Sequence, residues 1–252
     1  MNIKAIFFDL DGTLYFKGKA IKGAIETVDY LKSKGYTCRF LTNTDSKQTS
    51  AILERVTEMG FHITLDEIFT PVTASVKFLE LKKNATVYPF VSDEIIQEYD
   101  KFNTSEDTVD YLVIGDCSDK VSYSSLNKTF QLIGEQTKIL ALQKGRYYYD
   151  NTGKNLDTGA FVSMMEYASN KTAAVLGKPS ESFFNILLQD LSLNPSDILM
   201  IGDDITTDIV GANAISASSA LVKTGKYQDQ AHLKTGTPDY ILDSAADLVN
   251  YL

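Results

Sequence analysis

The spacing of apolar positions changes several times along the 252-residue chain, and each change marks an element. Ile3, Ala5, Ile6, Phe7 and Phe8 form a run without polar alternation, which predicts a strand buried on both faces. It stops abruptly at Asp9-Leu10-Asp11-Gly12-Thr13. Over 24–34 the period becomes helical through Ile25, Val28 and Leu31, and Gly35 ends it. A strand over 36–41 then runs into Thr42-Asn43-Thr44, and a helix over 46–59 turns Ile52, Leu53 and Val56 inward before Gly60.

Between 76 and 175 the rhythm restarts as a second α/β unit. Strands are predicted over 86–91, 111–114, 139–143 and 146–149, and helices over 94–102, 123–133 and 161–168. Tyr147, Tyr148 and Tyr149 alternate in facing, so sheet packing is expected of them rather than an aromatic box. Gly177-Lys178-Pro179-Ser180 precedes a helix carrying Phe183, Phe184, Leu187, Leu188 and Leu191. The next apolar strand, 197–201, ends in Gly202-Asp203-Asp204-Ile205-Thr206-Thr207-Asp208. Strands at 220–222 and 240–242 and a helical turn over 247–252 close the pattern. Strands alternating with helices predict an α/β fold with a mostly parallel sheet.

In such a sheet the ligand crevice lies outside the carboxyl ends of the strands, where Asp9, Asp11, Thr42 and Asp203 fall. Carboxylates held this close repel one another unless one is protonated or a cation lies among them. For an all-oxygen site magnesium is the natural cation, and a phosphorylated substrate follows from it. A polar turn after a strand would explain Asp and Gly without any chemistry, and a helix cap would explain Thr42 or Asp208.

Net charge is −9, which argues against a nucleic-acid partner. The N-terminal apolar stretch is too short and acidic for a secretory segment, and no run approaches the ~18–20 residues that span a bilayer. Cys38 and Cys117 have no metal or redox spacing, so reduced thiols in a cytoplasmic protein without a membrane partner are expected. His62 and His232 are assigned no role.

Asp9-x-Asp11-Gly12-Thr13, Thr42-Asn43, Lys178 and Gly202-Asp203-Asp204-x-x-x-Asp208, in this order, resemble the four motifs of the haloacid dehalogenase (HAD) superfamily of phosphotransferases. The insertion between the second and third motifs resembles its NagD-like group, subfamily IIA. Similarity to phospholysine phosphohistidine inorganic pyrophosphate phosphatase-like members runs through Lys144-Gly145-Arg146-Tyr147-Tyr148, Leu156-Asp157-Thr158-Gly159, Gly177-Lys178-Pro179, Met200-Ile201-Gly202-Asp203-Asp204 and Lys223-Thr224-Gly225-Lys226.

The resemblance covers the whole chain. It implies a Rossmann-like HAD core over 1–75 and 176–252, its mostly parallel sheet flanked by helices, and an inserted smaller α/β cap over 76–175 that selects substrate. Asp9 would be the nucleophile that forms an aspartyl-phosphate, and Asp11 the general acid and base. Thr42 and Asn43, with Gly12 in the loop and Lys178, would hold the phosphate. Mg2+ would bind the Asp9 carboxylate, the Asp11 backbone carbonyl and Asp203, supported by Asp204 and Asp208. Lys144, Arg146 and Asp157 would be the cap's specificity residues. The substrate would be a small phosphorylated compound, and members of the group often pair through their caps, which leaves a homodimer open.

Two features depart from the pattern. Asp45-Ser46 comes just after Thr42-Asn43-Thr44 where many relatives carry neutral or basic residues, and Leu156-Asp157-Thr158-Gly159 lacks the Gly-Pro-Gly form found in part of the group. A catalytically silent binding module would lack a nucleophile or acid, whereas both Asp9 and Asp11 are present. Phosphohistidine, phospholysine or pyrophosphate hydrolysis is the alternative specific activity.

Overall fold

A computed structural model describes residues 3–150, 152–227 and 235–251, with the side chain of Asp150 excepted. The chain begins with β1 (Ala5–Asp9), a short hairpin of β2 (Tyr15–Phe16) and β3 (Lys19–Ala20), α1 (Ala24–Ser33), β4 (Thr37–Leu41), α2 (Thr49–Glu58), β5 (Ile68–Phe69) and α3 (Pro71–Glu80). It continues through β6 (Val87–Phe90), β7 (Tyr111–Ile114), α4 (Tyr123–Gln131), β8 (Lys138–Ala141), β9 (Tyr147–Asp150), β10 (Gly153–Leu156), α5 (Thr158–Ser169) and β11 (Ala174–Val175). The last stretch contains α6 (Glu181–Leu191), β12 (Ile198–Gly202), α7 (Val210–Ala214), β13 (Ser218–Val222) and β14 (Tyr240–Leu242). These elements form two compact units, one of Met1–Thr42, Thr49–Phe69 and Lys178–Leu252, the other of Asn43–Gln48 and Thr70–Gly177.

In the first unit a six-stranded sheet runs in the order β14-β13-β12-β1-β4-β5, and every pair in it is parallel. β1 lies inside the sheet with all five residues buried, which is why its sequence shows no polar alternation. Phe8 pairs in register with Ile201 on one side and Phe40 on the other, and the Phe8 and Phe40 rings stack 5.9 Å apart. Since the strands are parallel, the tips after Asp9, Leu41 and Gly202 all open on one edge. Val28 and Leu31 of α1, Ile52 and Val56 of α2 and Leu248 pack with Ile6, Phe8 and Ile201 in one cluster.

The second unit has its own parallel sheet, β11-β8-β7-β6, and a separate antiparallel hairpin of β9 and β10. Val162 and Met165 of α5 pack with Leu112, Ile114, Ile139 and Ala141. Thr70 accepts a hydrogen bond from the Thr73 N–H at 3.0 Å ahead of Pro71, and so caps α3, a helix the spacing did not predict.

Two expectations are corrected, and a third is met with shifted bounds. Residues 94–102 hold only a 3-10 turn, Ile96–Tyr99, because a single i,i+4 pair, Ile95 and Tyr99, turns into the core. Tyr147–Tyr149 do not join the four-stranded sheet. They pair with the polar strand β10 and remain exposed, Tyr149 at 71%, with the Tyr147 and Tyr149 rings 5.7 Å apart on one face. The predicted closing turn is a 3-10 helix, Ala245–Asn250, capped by Ser244, while Leu252 lies outside the described residues, as does His232. No helix among the described residues is long and apolar enough to cross a membrane.

Candidate active site

The site is built at the carboxyl tips of β1 and β12. Asp9, the last residue of β1, is 8% exposed, and its two carboxylate oxygens have different partners. Oδ1 accepts from the Lys178 ammonium at 2.5 Å, and Oδ2 from the Thr13 hydroxyl at 3.1 Å. The loop that returns Thr13 beneath Asp9 is closed by the Leu14 N–H on the Leu10 carbonyl, 2.9 Å, and by the Gly12 N–H on the Tyr15 carbonyl, 2.7 Å. Gly12 has φ +95°, and a Cβ there would collide with the Asp203 carboxylate, so only glycine serves.

Lys178 is fully buried, and its ammonium also donates to Asp208 Oδ1 at 2.7 Å. Burial opposes its charge, but Asp208 and Asp9 outweigh that and hold the ammonium above the usual lysine range. Asp208 lies in a π-helical turn, Ile205–Ile209, and takes the Asp204 N–H at 3.2 Å. It does not cap that turn. Asp204 does, accepting from the Thr206 N–H at 2.9 Å.

Asp203 follows β12 and receives the Lys226 N–H at 2.6 Å and the Thr13 hydroxyl at 3.4 Å. Burial first, then the Asp9 charge, pushes its carboxyl upward, and burial does the same to Asp208 against the pull of Lys178. Carboxylate oxygens of Asp9, Asp203 and Asp208 all lie within 4.8 Å of one another. Crowded carboxylates whose protons are held too tightly are what a divalent cation relieves, and an all-oxygen donor set suits a hard one. Asp11 is the exposed acid of the group. Partial burial and Asp9 raise its pKa, with Arg55 and Lys226 working in the opposite direction. A carboxyl that keeps its proton longer than usual is what a general acid needs.

Asp9, Asp11, Gly12, Thr42, Lys178, Asp203, Asp204 and Asp208 therefore all belong to the first unit, while Asn43 is the first residue of the second. Among the cap candidates, Asp157 is engaged as the N-cap of α5, accepting from the Thr158 N–H at 2.8 Å and from Gln143 Nε2 at 2.5 Å. Lys144 is paired with Glu166 at 2.7 Å. Arg146 is exposed and makes no side-chain hydrogen bond or ion pair among the described residues.

Sequence reasoning gave no role to the tip of β13. There Thr224 donates to the Gly12 carbonyl at 2.5 Å, and the Lys226 ammonium reaches Asp204 at 2.9 Å. The signal available was Lys223-Thr224-Gly225-Lys226 directly after an apolar strand, one more polar strand tip.

A family model described as haloacid dehalogenase-like hydrolase matches residues 6–105, and a second, HAD-like model matches residues 175–248. A zebrafish (Danio rerio) protein named phospholysine phosphohistidine inorganic pyrophosphate phosphatase is 35% identical over 253 residues, covering 97% of this chain and 93% of that protein. The chain belongs to the haloacid dehalogenase-like hydrolases. It is an enzyme of that family. The human haloacid dehalogenase-like hydrolase domain-containing protein 2 is 35% identical over 95% of this chain and 91% of its own. Among solved structures, a p-nitrophenyl phosphatase from Archaeoglobus fulgidus superposes with a TM-score of 0.91 at 26% identity, covering both chains in full. NagD from E. coli, at 21% identity and a TM-score of 0.87 over 98% of each chain, shares the fold.

Proposed function

We propose that this hydrolase is a magnesium-dependent phosphatase that cleaves a small phosphate monoester through an aspartyl-phosphate on Asp9. The observation that carries the reading is the buried Lys178 ammonium joined to both Asp9 and Asp208 within a cluster of three carboxylates at the strand tips. A magnesium ion on Asp9, Asp203 and the Asp11 carbonyl would supply Lewis-acid neutralisation of a phosphoryl oxygen. Thr13 and Lys178 fix the Asp9 carboxylate from two sides, so it meets phosphorus without having to reorient. Asp11 hands its proton to the leaving oxygen and then takes one from the water that attacks the acyl phosphate. Thr42 and Asn43, with Gly12 in the loop, hold the remaining phosphoryl oxygens. Asp204 and Asp208 orient Lys226, Lys178 and the loop around Asp203.

The middle α/β unit serves as the substrate-selecting cap, and Arg146 is the specificity candidate not engaged by another side chain among the described residues. The name of the zebrafish relative puts phospholysine, phosphohistidine and pyrophosphate among the compounds to screen. Cys38 and Cys117 are free, buried thiols, which suits a reducing cytoplasm.

Acid quenching during turnover of radiolabelled p-nitrophenyl phosphate tests the mechanism. Hydroxylamine-labile label is expected on the wild-type chain, more on Asp11→Asn, and none on Asp9→Asn. Label on Asp9→Asn, or none on either of the other two, would refute it.

A further inference from the structure

Asp45 is 5% exposed and lies where three segments of the second unit meet. Its Oδ2 accepts from the Asp116 N–H at 3.0 Å and from the Thr158 hydroxyl at 2.7 Å. Those partners are 71 and 113 residues away in sequence, so this is no local Asx turn. Asp116 stands just beyond β7, and Thr158 opens α5. Asp157, one residue earlier, is bonded to Gln143, which also accepts the Gly145 N–H. Asp45 thereby ties the strand tips of this unit to the Asn43–Gln48 segment. Asn43 is only two residues away, and it follows directly on Thr42 at the tip of β4.

A buried carboxylate is costly unless it is hydrogen-bonded, and here the two donors that meet it come from segments far apart in the chain. We propose that Asp45 is a positioning residue of the phosphatase reaction, clamping the Asn43 segment to the Asp157-Thr158 loop so that both keep one arrangement. The inference rests on the phosphatase reading above. Asp45 acts through Asn43 and never touches substrate. Both of these donors address Oδ2, so a proton on Oδ1 leaves the two bonds in place. Burial, followed by the charges of Asp157 and Asp116, pushes this carboxyl up to about 7, so near neutrality the clamp works in either protonation state. An amide offers one oxygen in the same place.

Steady-state kinetics with p-nitrophenyl phosphate test the clamp. Asp45→Ala should raise KM about tenfold, the loss of one to two hydrogen bonds' worth of positioning, with kcat within about twofold. Asp45→Asn should restore the wild-type KM. Thr158→Val should move KM in the same direction as Asp45→Ala, and Thr158→Ser should not, which keeps the test available if Asp45→Ala does not fold. An unchanged KM in the folded Asp45→Ala or Thr158→Val chains, or an Asp45→Asn chain as impaired as Asp45→Ala, overturns the clamp alone. A wild type that releases no p-nitrophenol overturns the phosphatase reading, and the clamp with it.

Discussion

Lys178 is the residue on which the site's charge balance turns, because one buried ammonium faces the carboxylates of Asp9 and Asp208. Lys178→Ala would leave both acids buried without a counter-charge, a cost of about 3–5 kcal/mol. The expected result is a lowered denaturant midpoint together with loss of turnover, read by urea unfolding. A midpoint unchanged from wild type would show that the pair contributes nothing to the fold. Gly12→Ala is a second prediction at this scale. The backbone at φ +95° disfavours a side chain, and the added methyl meets Asp203, so turnover should fall steeply while the apolar cluster beneath stays intact. Near-wild-type activity would contradict the close approach. Asp9 and Asp203 were legible in the sequence because each ends an apolar run at a strand tip. Lys226 was not, because its hold on Asp203 is through a backbone N–H, and β13 meets β12 by a pairing that no local pattern announces.

At the scale of elements, the second unit holds the Asn43–Gln48 segment through a carboxylate whose pKa rises from 3.8 to about 7. The folded state then keeps a proton that the unfolded chain gives up, so this group's contribution to stability falls as pH rises from about 4 to 7. Asp45→Asn removes that slope. Its gain in thermal midpoint over wild type should therefore be larger at pH 8 than at pH 5, and an equal difference at both would contradict a raised Asp45. The alternation of strands and helices made the order of elements readable, and the long apolar helices were placed within a few residues. What failed were elements held by partners rather than by their own period. The polar strand β10 exists through its pairing with β9, α3 starts from a Thr-Pro cap, and the 94–102 stretch has apolar residues enough for one turn only.

For the molecule as a whole, a net charge of −9 surrounds a site that must receive an anion. Lys178 and Lys226 supply the local positive charge beside the carboxylate cluster, and the proposed cation would add to it. Magnesium should therefore stabilise the fold by mass action, by about 2.7 kcal/mol at a hundred times its dissociation constant, and so raise the thermal midpoint. Asp203→Asn should blunt that rise, and an equal rise in this variant would place the ion elsewhere. The family and its α/β fold were legible because three of the four motifs directly follow apolar strands and the fourth, Lys178, stands just ahead of a helix. The measurement that bears most directly on the central claim is p-nitrophenol release from p-nitrophenyl phosphate with magnesium, comparing wild type with Asp9→Asn of equal thermal midpoint. Release by the wild type and none by the variant is the predicted result. Equal release by both would remove Asp9 from the chemistry and contradict the account.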